Sequence, residues 1–243
     1  MRRVVLVPLV HDEADLGTAG PALLAETIRL AGAAGWAAHT ETLARYWAQV
    51  AAYLHGLDPR RLKLYQDGLP VGGLIGRTVV EEAARRGSRN YRLLLELMDL
   101  GAELRQTEDA SLLQQEYDLL ARAPSTARPG RSSHGARPDA ESRRRLLRER
   151  DEFIARTIDA TLGEGEIGVL FLGAEHQAAA RLAPDIVVQP LKDPVLVRAY
   201  FQTLLARDDR SERAQLASYV RAPIDEDFEE TGSDGAAETS AVE

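Results

Sequence analysis

The chain has no cysteine among its 243 residues, which removes thiol catalysis, disulfides and Cys-ligated zinc, so any metal must be held by histidine and carboxylates. Aromatics are scarce at 5%. That leaves few platforms for the base stacking on which single-strand nucleic-acid binders depend. No long hydrophobic run occurs either. The apolar stretch in MRRVVLVPLVHDEAD ends at His11, too short for a signal h-region with its cleavage site or for a span of roughly 20 apolar residues. The expectation is a cytoplasmic protein with no membrane partner. Phosphate-binding motifs of the GxGxxG and GxxxxGK[ST] kinds are missing, and so is the GxSxG nucleophile elbow, which argues against a nucleotide site in such loops and against serine-hydrolase chemistry.

An excess of basic charge is lacking too. The formal net charge is −8, and residues 225–243 hold eight acidic residues and no basic one, so the remaining body is neutral. A neutral body argues against a duplex-binding surface, and no nucleic-acid partner is expected. The acidic tail, rich in Gly, Ser and Ala, reads as disordered. Residues 123–139, APSTARPGRSSHGARPD, read as a mobile basic insertion.

What is present is an alternation of apolar strands and amphipathic helices. Residues 4–10 and 167–172 are continuous apolar runs, the pattern of strands buried on both faces, with Pro8 marking an irregular exit from the first. Shorter strands are expected at 61–65, 102–106 and 185–189. Helices are expected at 21–34 and 41–55, punctuated by Gly35, and then at 75–86, 90–100 and from about 107 to 122. Two more are expected at 140–162 and 195–206. Ser88, Thr107, Asp109 and Asp193 are candidate helix caps. The pattern gives an α/β fold: a single domain over 1–222 with a mostly parallel sheet flanked by helices, then the acidic tail from 223 to 243.

In such sheets ligands bind beyond the carboxyl ends of the strands, and polar residues gather in those positions. His11, Asp12, Glu13 and Asp15 follow the first strand, Gln66 and Asp67 the second, and Thr107, Glu108 and Asp109 the third. Glu175 and His176 follow the fourth, and Lys192 and Asp193 the last. Imidazole with carboxylates suits a divalent Zn, Mn or Fe ion; without a metal, a histidine oriented by a carboxylate serves as general base. His11 and His176 are the leading candidates, while His39 and His55, in surface-like helical context, and His134, in the insertion, are read as satisfied or solvated. Arg89, opening a helix after Ser88, can reach an anionic group; Asp67 either presents its carboxylate or merely turns the chain.

One stretch carries a resemblance. Arg150-Asp151-Glu152-Phe153-Ile154-Ala155-Arg156-Thr157-Ile158 leads into Ile167-Gly168-Val169-Leu170-Phe171-Leu172-Gly173-Ala174-Glu175-His176, and the first strand ends in Val7-Pro8-Leu9-Val10-His11-Asp12-Glu13. This is similar to the TraB, Tiki, ChaN and erythromycin-esterase group, in which a helix beginning with Arg runs into a strand ending in Gly-x-x-His. The resemblance implies an α/β fold with two facing His motifs, used for metal-dependent peptide cleavage, ester hydrolysis or haem binding. Gly173 and His176 match the second motif, His11 the first and Arg150 the helix arginine; Pro8 stands where members have Gly, and the middle acidic motif falls on Glu108 or Asp67.

The expected function is a metal-dependent hydrolase acting on a small molecule or a peptide or ester bond. Its metal ligands would come from His11, His176, Asp12 and Glu108. Glu13 and Arg150 join the two histidines as catalytic residues, and Arg89, Asp67 and Glu175 bind substrate. The alternative is a non-catalytic small-ligand or haem-binding regulatory protein; either one can form a homo-oligomer.

Overall fold

The computed structural model describes residues 1–9, 20–121, 140–205 and 210–224. Five strands form one parallel sheet: β1 (Arg2–Leu9), β2 (Leu62–Gln66), β3 (Glu103–Leu104), β4 (Ile167–Gly173) and β5 (Ile186–Pro190), in the spatial order β3-β2-β4-β1-β5. The helices are α1 (Gly20–His55), α2 (Gly73–Arg85), α3 (Arg89–Asp99), α4 (Ala110–Ala121), α5 (Ala140–Thr161), α6 (Pro194–Leu205) and α7 (Arg210–Arg221). Together they make one α/β domain.

The continuous apolar runs of β1 and β4 are explained by burial on both faces. Val5, Val7 and Leu9, with Val169 and Phe171, point into a large core shared with Tyr46, Trp47 and Val50 of α1, Leu94 and Leu97 of α3, and Tyr200 of α6. The alternate residues Val4, Leu6, Leu170 and Leu172 face a second core with Ile154 and Ile158 of α5. A period of two within an all-apolar run feeds both layers at once. Pro8 is tolerated in this central strand because the pairing of β1 with β5 ends at Leu6 and Pro190, so no β5 residue stands opposite Pro8. Its carbonyl accepts a 2.6 Å hydrogen bond from the Tyr46 hydroxyl.

Several local expectations are corrected. The two helices anticipated here are present within α1, but the break between them falls at Gly32 (φ 75°, ψ 163°) rather than Gly35, a conformation that glycine reaches without a Cβ penalty. The strand anticipated over 102–106 shrinks to two residues, because the chain turns away to bond Thr107 into the neighbouring loop. A seventh helix, α7, packs on α1 and α6 and was not anticipated. The basic insertion and acidic tail fall almost wholly outside the described residues, as does the segment carrying His11, Asp12 and Glu13.

Candidate functional site

The site is built from three loops at the carboxyl edge of the sheet and one helix. Beyond β2, the Asp67 N–H donates to Phe171 O at 2.9 Å, extending the β2–β4 ladder by one rung and fixing where the Asp67 carboxylate stands. Gly68 (φ 77°) then turns the chain, and Leu69 N–H closes the turn onto Gln66 O. Leu69 O accepts the N–H groups of both Thr107 and Glu108. The loop after β3 is thereby pinned to the loop after β2, and Glu108 is delivered beside Asp67. Thr107, a candidate cap from sequence, instead accepts the Gln66 N–H at 2.8 Å. Asp109 takes the cap role, accepting from Ser111 and Leu112 N–H groups, and Ser88 and Asp193 cap as expected.

On the far side, His176 N–H donates to Gly173 O, so the Gly-x-x-His run is a tight turn that folds the imidazole back over the end of β4. Gly173 is required by closeness: its N–H donates to Asp67 Oδ2 at 2.9 Å, and a Cβ there would stand 2.8 Å from the same oxygen. The helix supplies Arg150 and Asp151. Arg150 precedes Leu162 by twelve residues, roughly 18 Å of helix. That matches the length of a strand, which places these two residues level with the carboxyl ends.

Four of the residues singled out from sequence therefore meet: Asp67, Glu108, Arg150 and His176. Arg150 Nη2 donates to Asp67 Oδ1 at 2.7 Å and Glu108 Oε1 at 2.5 Å, Nε to Glu108 Oε2 at 3.3 Å, and Nη1 to Glu116 Oε2 at 2.7 Å. Its guanidinium is thus committed to three carboxylates. His176 Nδ1 pairs with Asp151 Oδ1 at 2.7 Å, while the other Asp151 oxygen accepts the Gln177 N–H. His176 Nε2 faces Asp67 Oδ2 at 3.6 Å. The side chains of Glu108, Asp151, Arg150 and His176 are all at least nine-tenths buried.

Burial and neighbours set the protonation. For Glu108, burial outweighs the Arg150 hydrogen bond and charge and pushes the carboxyl up to about 7. For His176, burial disfavours the imidazolium, but the Asp151 hydrogen bond and the Asp67 charge prevail and raise it above its ordinary value. The cluster thus contains a carboxyl poised near neutrality and a histidine lifted above its ordinary value.

Asp67, Glu108 and His176 each offer a ligand atom, all within 4.8 Å of one another, so the three can hold a metal ion. Two donors on one tetrahedral zinc lie about 3.4 Å apart at ordinary bond lengths, close to the Nε2 to Oδ2 separation. Asp151 on Nδ1 supplies the outer carboxylate that fixes a ligating imidazole's tautomer. The donor set fits a divalent ion, with Arg150 as the competing cation.

Other expected residues lie apart. Arg89 begins α3, where its charge acts on His39. Glu175 is exposed and lines a groove with Glu116 and Arg143. Lys192 is turned away from the rim, donating to the Tyr219, Ala222 and Pro223 carbonyls at the end of α7. His39, placed by sequence in a surface-like helix, is buried: its Nδ1 bonds the Tyr200 hydroxyl at 2.8 Å, and burial with the Arg89 charge lowers it to about 4. Asp151 and Glu116 were not singled out from sequence. The signal for Asp151 was available, since Leu147, Asp151, Ile154 and Ile158 share one helical stripe.

No family model, curated protein or solved structure matches the chain. Among the described residues, no helix is long and apolar enough to cross a membrane.

Proposed function

We propose that the protein is a metal-dependent hydrolase acting on a small molecule or a peptide or ester bond at the carboxyl edge of its sheet. The observation that carries this reading is the convergence of Asp67, Glu108 and His176, with Asp151 behind the imidazole, in a parallel sheet at the position where such folds bind ligands. Asp67, Glu108 and His176 would hold a divalent ion such as Zn, Mn or Fe, which supplies Lewis acidity to a bound carbonyl or water. Asp151 keeps the His176 ring oriented. Glu108, lifted by burial to about 7, would give up its proton on taking the ion, which ties ion uptake to pH. Arg150 holds the carboxylates in place and screens their mutual repulsion.

The guanidinium bonds favour a second reading, in which the same cluster works without a metal. The His176–Asp151 pair and Glu108 then share the acid and base roles, and Arg150 keeps its place. The two readings separate by calorimetric titration of chelator-treated protein with Zn²⁺ and Mn²⁺, coupled to hydrolysis of 4-nitrophenyl acetate. The metal reading expects one ion per chain, proton release on binding, and loss of both ion and turnover in Asp67→Asn and His176→Gln. Turnover that persists undiminished in the presence of chelator leaves the metal-free version. Absence of both metal binding and turnover overturns the hydrolase reading.

A further inference from the structure

Beside the buried cluster runs a groove of about 230 Å³ between α4 and α5, lined by Glu116, Leu119, Arg143, Arg144, Leu147 and Glu175. Two of its walls are physically joined to the cluster. Glu116 accepts from Arg150 Nη1, and Glu175 directly precedes His176 in the chain. Glu116 is the outermost member of the charged network, 37% exposed where Glu108 is fully buried, so the Arg150–Glu116 pair stands between open groove and closed site. A second and larger depression of about 400 Å³, lined by residues that include Glu152, Arg156, Asp159 and Arg181, contains none of the cluster's residues.

The groove's chemistry is uneven. Leu119 and Leu147 give it an apolar wall, and Glu116 shares the Arg150 guanidinium with the buried carboxylates. Arg143 and Arg144 are exposed on its rim and have no carboxylate partner among the described residues; of the two carboxylates in the described lining, Glu116 already has a partner in Arg150 and Glu175 has no ion pair. The volume lies below the roughly 300–1,000 Å³ of sites for drug-sized ligands, which limits the occupant to a short chain or a single small ring.

We infer that this groove is the entry and specificity site of the cluster, and that it binds a small amphipathic anion, a carboxylate or phosphate on a short apolar body. Arg143 and Arg144 engage the anionic end. Leu119 and Leu147 take the apolar part. The scissile group then lies toward Glu116 and the buried cluster. The placing of a scissile group rests on the hydrolase reading; the anion preference of the groove does not.

The test is therefore equilibrium binding. Octanoate is titrated into the full chain by calorimetry, with acetate and octylammonium as controls, for the unaltered protein, Arg143→Ser/Arg144→Ser and Glu175→Gln. Octanoate is expected to bind more tightly than acetate or octylammonium, to weaken about tenfold when both arginines are removed, and to hold or strengthen in Glu175→Gln. Both arginines are exposed, so thermal melts should be unchanged and the loss attributable to binding. Equal affinity in the arginine variant, or tighter binding of octylammonium, overturns the inference. Octanoate binding that follows this pattern in a protein with no esterase turnover leaves the groove standing while the hydrolase reading falls. Turnover of 4-nitrophenyl acetate with no octanoate binding does the reverse.

Discussion

Replacing Arg150 by methionine keeps the apolar stem and removes the charge that three carboxylates share. The loss is not spread evenly. Glu116, more than a third exposed, regains water, so its share is worth little. Asp67 keeps the Gly173 N–H on Oδ2 and a partial exposure of 13%. Glu108 has neither, being fully buried with Arg150 on both oxygens. Removing one partner from a buried ion pair costs about 3–5 kcal/mol. Buried carboxyls escape part of such a penalty by taking up a proton, and Glu108 already titrates near 7. The cost should therefore depend on pH. In urea unfolding at pH 8, Arg150→Met should lose about 3–5 kcal/mol, equivalent to roughly 6–20 °C in Tm for a domain of this size. At pH 5, where Glu108 is protonated in the unaltered protein too, the loss should be markedly smaller. The double variant Arg150→Met/Glu108→Gln should recover at least half of the pH 8 deficit. A loss below about 1 kcal/mol at pH 8, or an equal loss at both pH values, would refute the assignment of Arg150 as the partner of a buried charge.

Glu108→Gln alone tests the sign of the linkage. A carboxyl raised on folding stabilises below its unfolded pKa and loses that contribution as pH rises to about 7, so the unaltered protein should gain on the variant between pH 8 and pH 5 in urea midpoints. Asp151→Asn removes what lifts His176, and an NMR titration of its imidazole should show the pKa falling toward or below the ordinary value; an unmoved titration would detach Asp151 from the site. His39 works in the opposite pH direction. Held neutral to about 4, it lets the unfolded chain take up a proton first as pH falls through 6.5, so about 2–3 kcal/mol of stability should vanish by pH 4.5 and reappear in the difference from His39→Gln. Gly173→Ala should fold with a modest loss of about 1–3 kcal/mol but displace Asp67, and should lose metal affinity or turnover out of proportion to stability.

The architecture was readable because its strongest signals were local and physical. Two apolar runs, residues 4–10 and 167–172, demanded a sheet covered on both sides, and the lengths between strands demanded crossovers. What failed locally was decided by tertiary contacts. Thr107 has the chemistry of a cap, but the Gln66 N–H needed an acceptor where β3 runs out, and the cap passed to Asp109. His39 sits among small and polar residues in α1, and only the arrival of α6, carrying Tyr200 and Phe201, turns that surface inward. In the site, Asp67, Glu108 and His176 were named by position after a strand, and Arg150 as the helix arginine of the resemblance. Their pairing was not legible, because which carboxylate meets the guanidinium depends on strand order. With β2 between β3 and β4, Asp67 stands between Glu108 and His176; no one-dimensional reading supplies that order.

That order also bears on whether the cluster is structural or functional. A purely structural role would be met by one carboxylate for one guanidinium, and a buried ion pair adds little net stability over apolar residues of the same size. Here one arginine serves three carboxylates, and a fourth, Asp151, is spent on a histidine. Burial raises Glu108 to about 7, at a cost in stability wherever its carboxylate is charged, while Asp151 and Asp67 lift His176 above its ordinary value against its burial. The helix that delivers Arg150 and Asp151 could have continued its apolar stripe through both positions, as it does at Ile154 and Ile158. Replacing Asp67, Glu108, Arg150 and Asp151 together by apolar residues of similar volume should therefore leave a folded domain no less stable than the original at pH 8, while abolishing metal binding and turnover. Should that variant unfold, the cluster would be a keystone of the fold rather than a site placed on it.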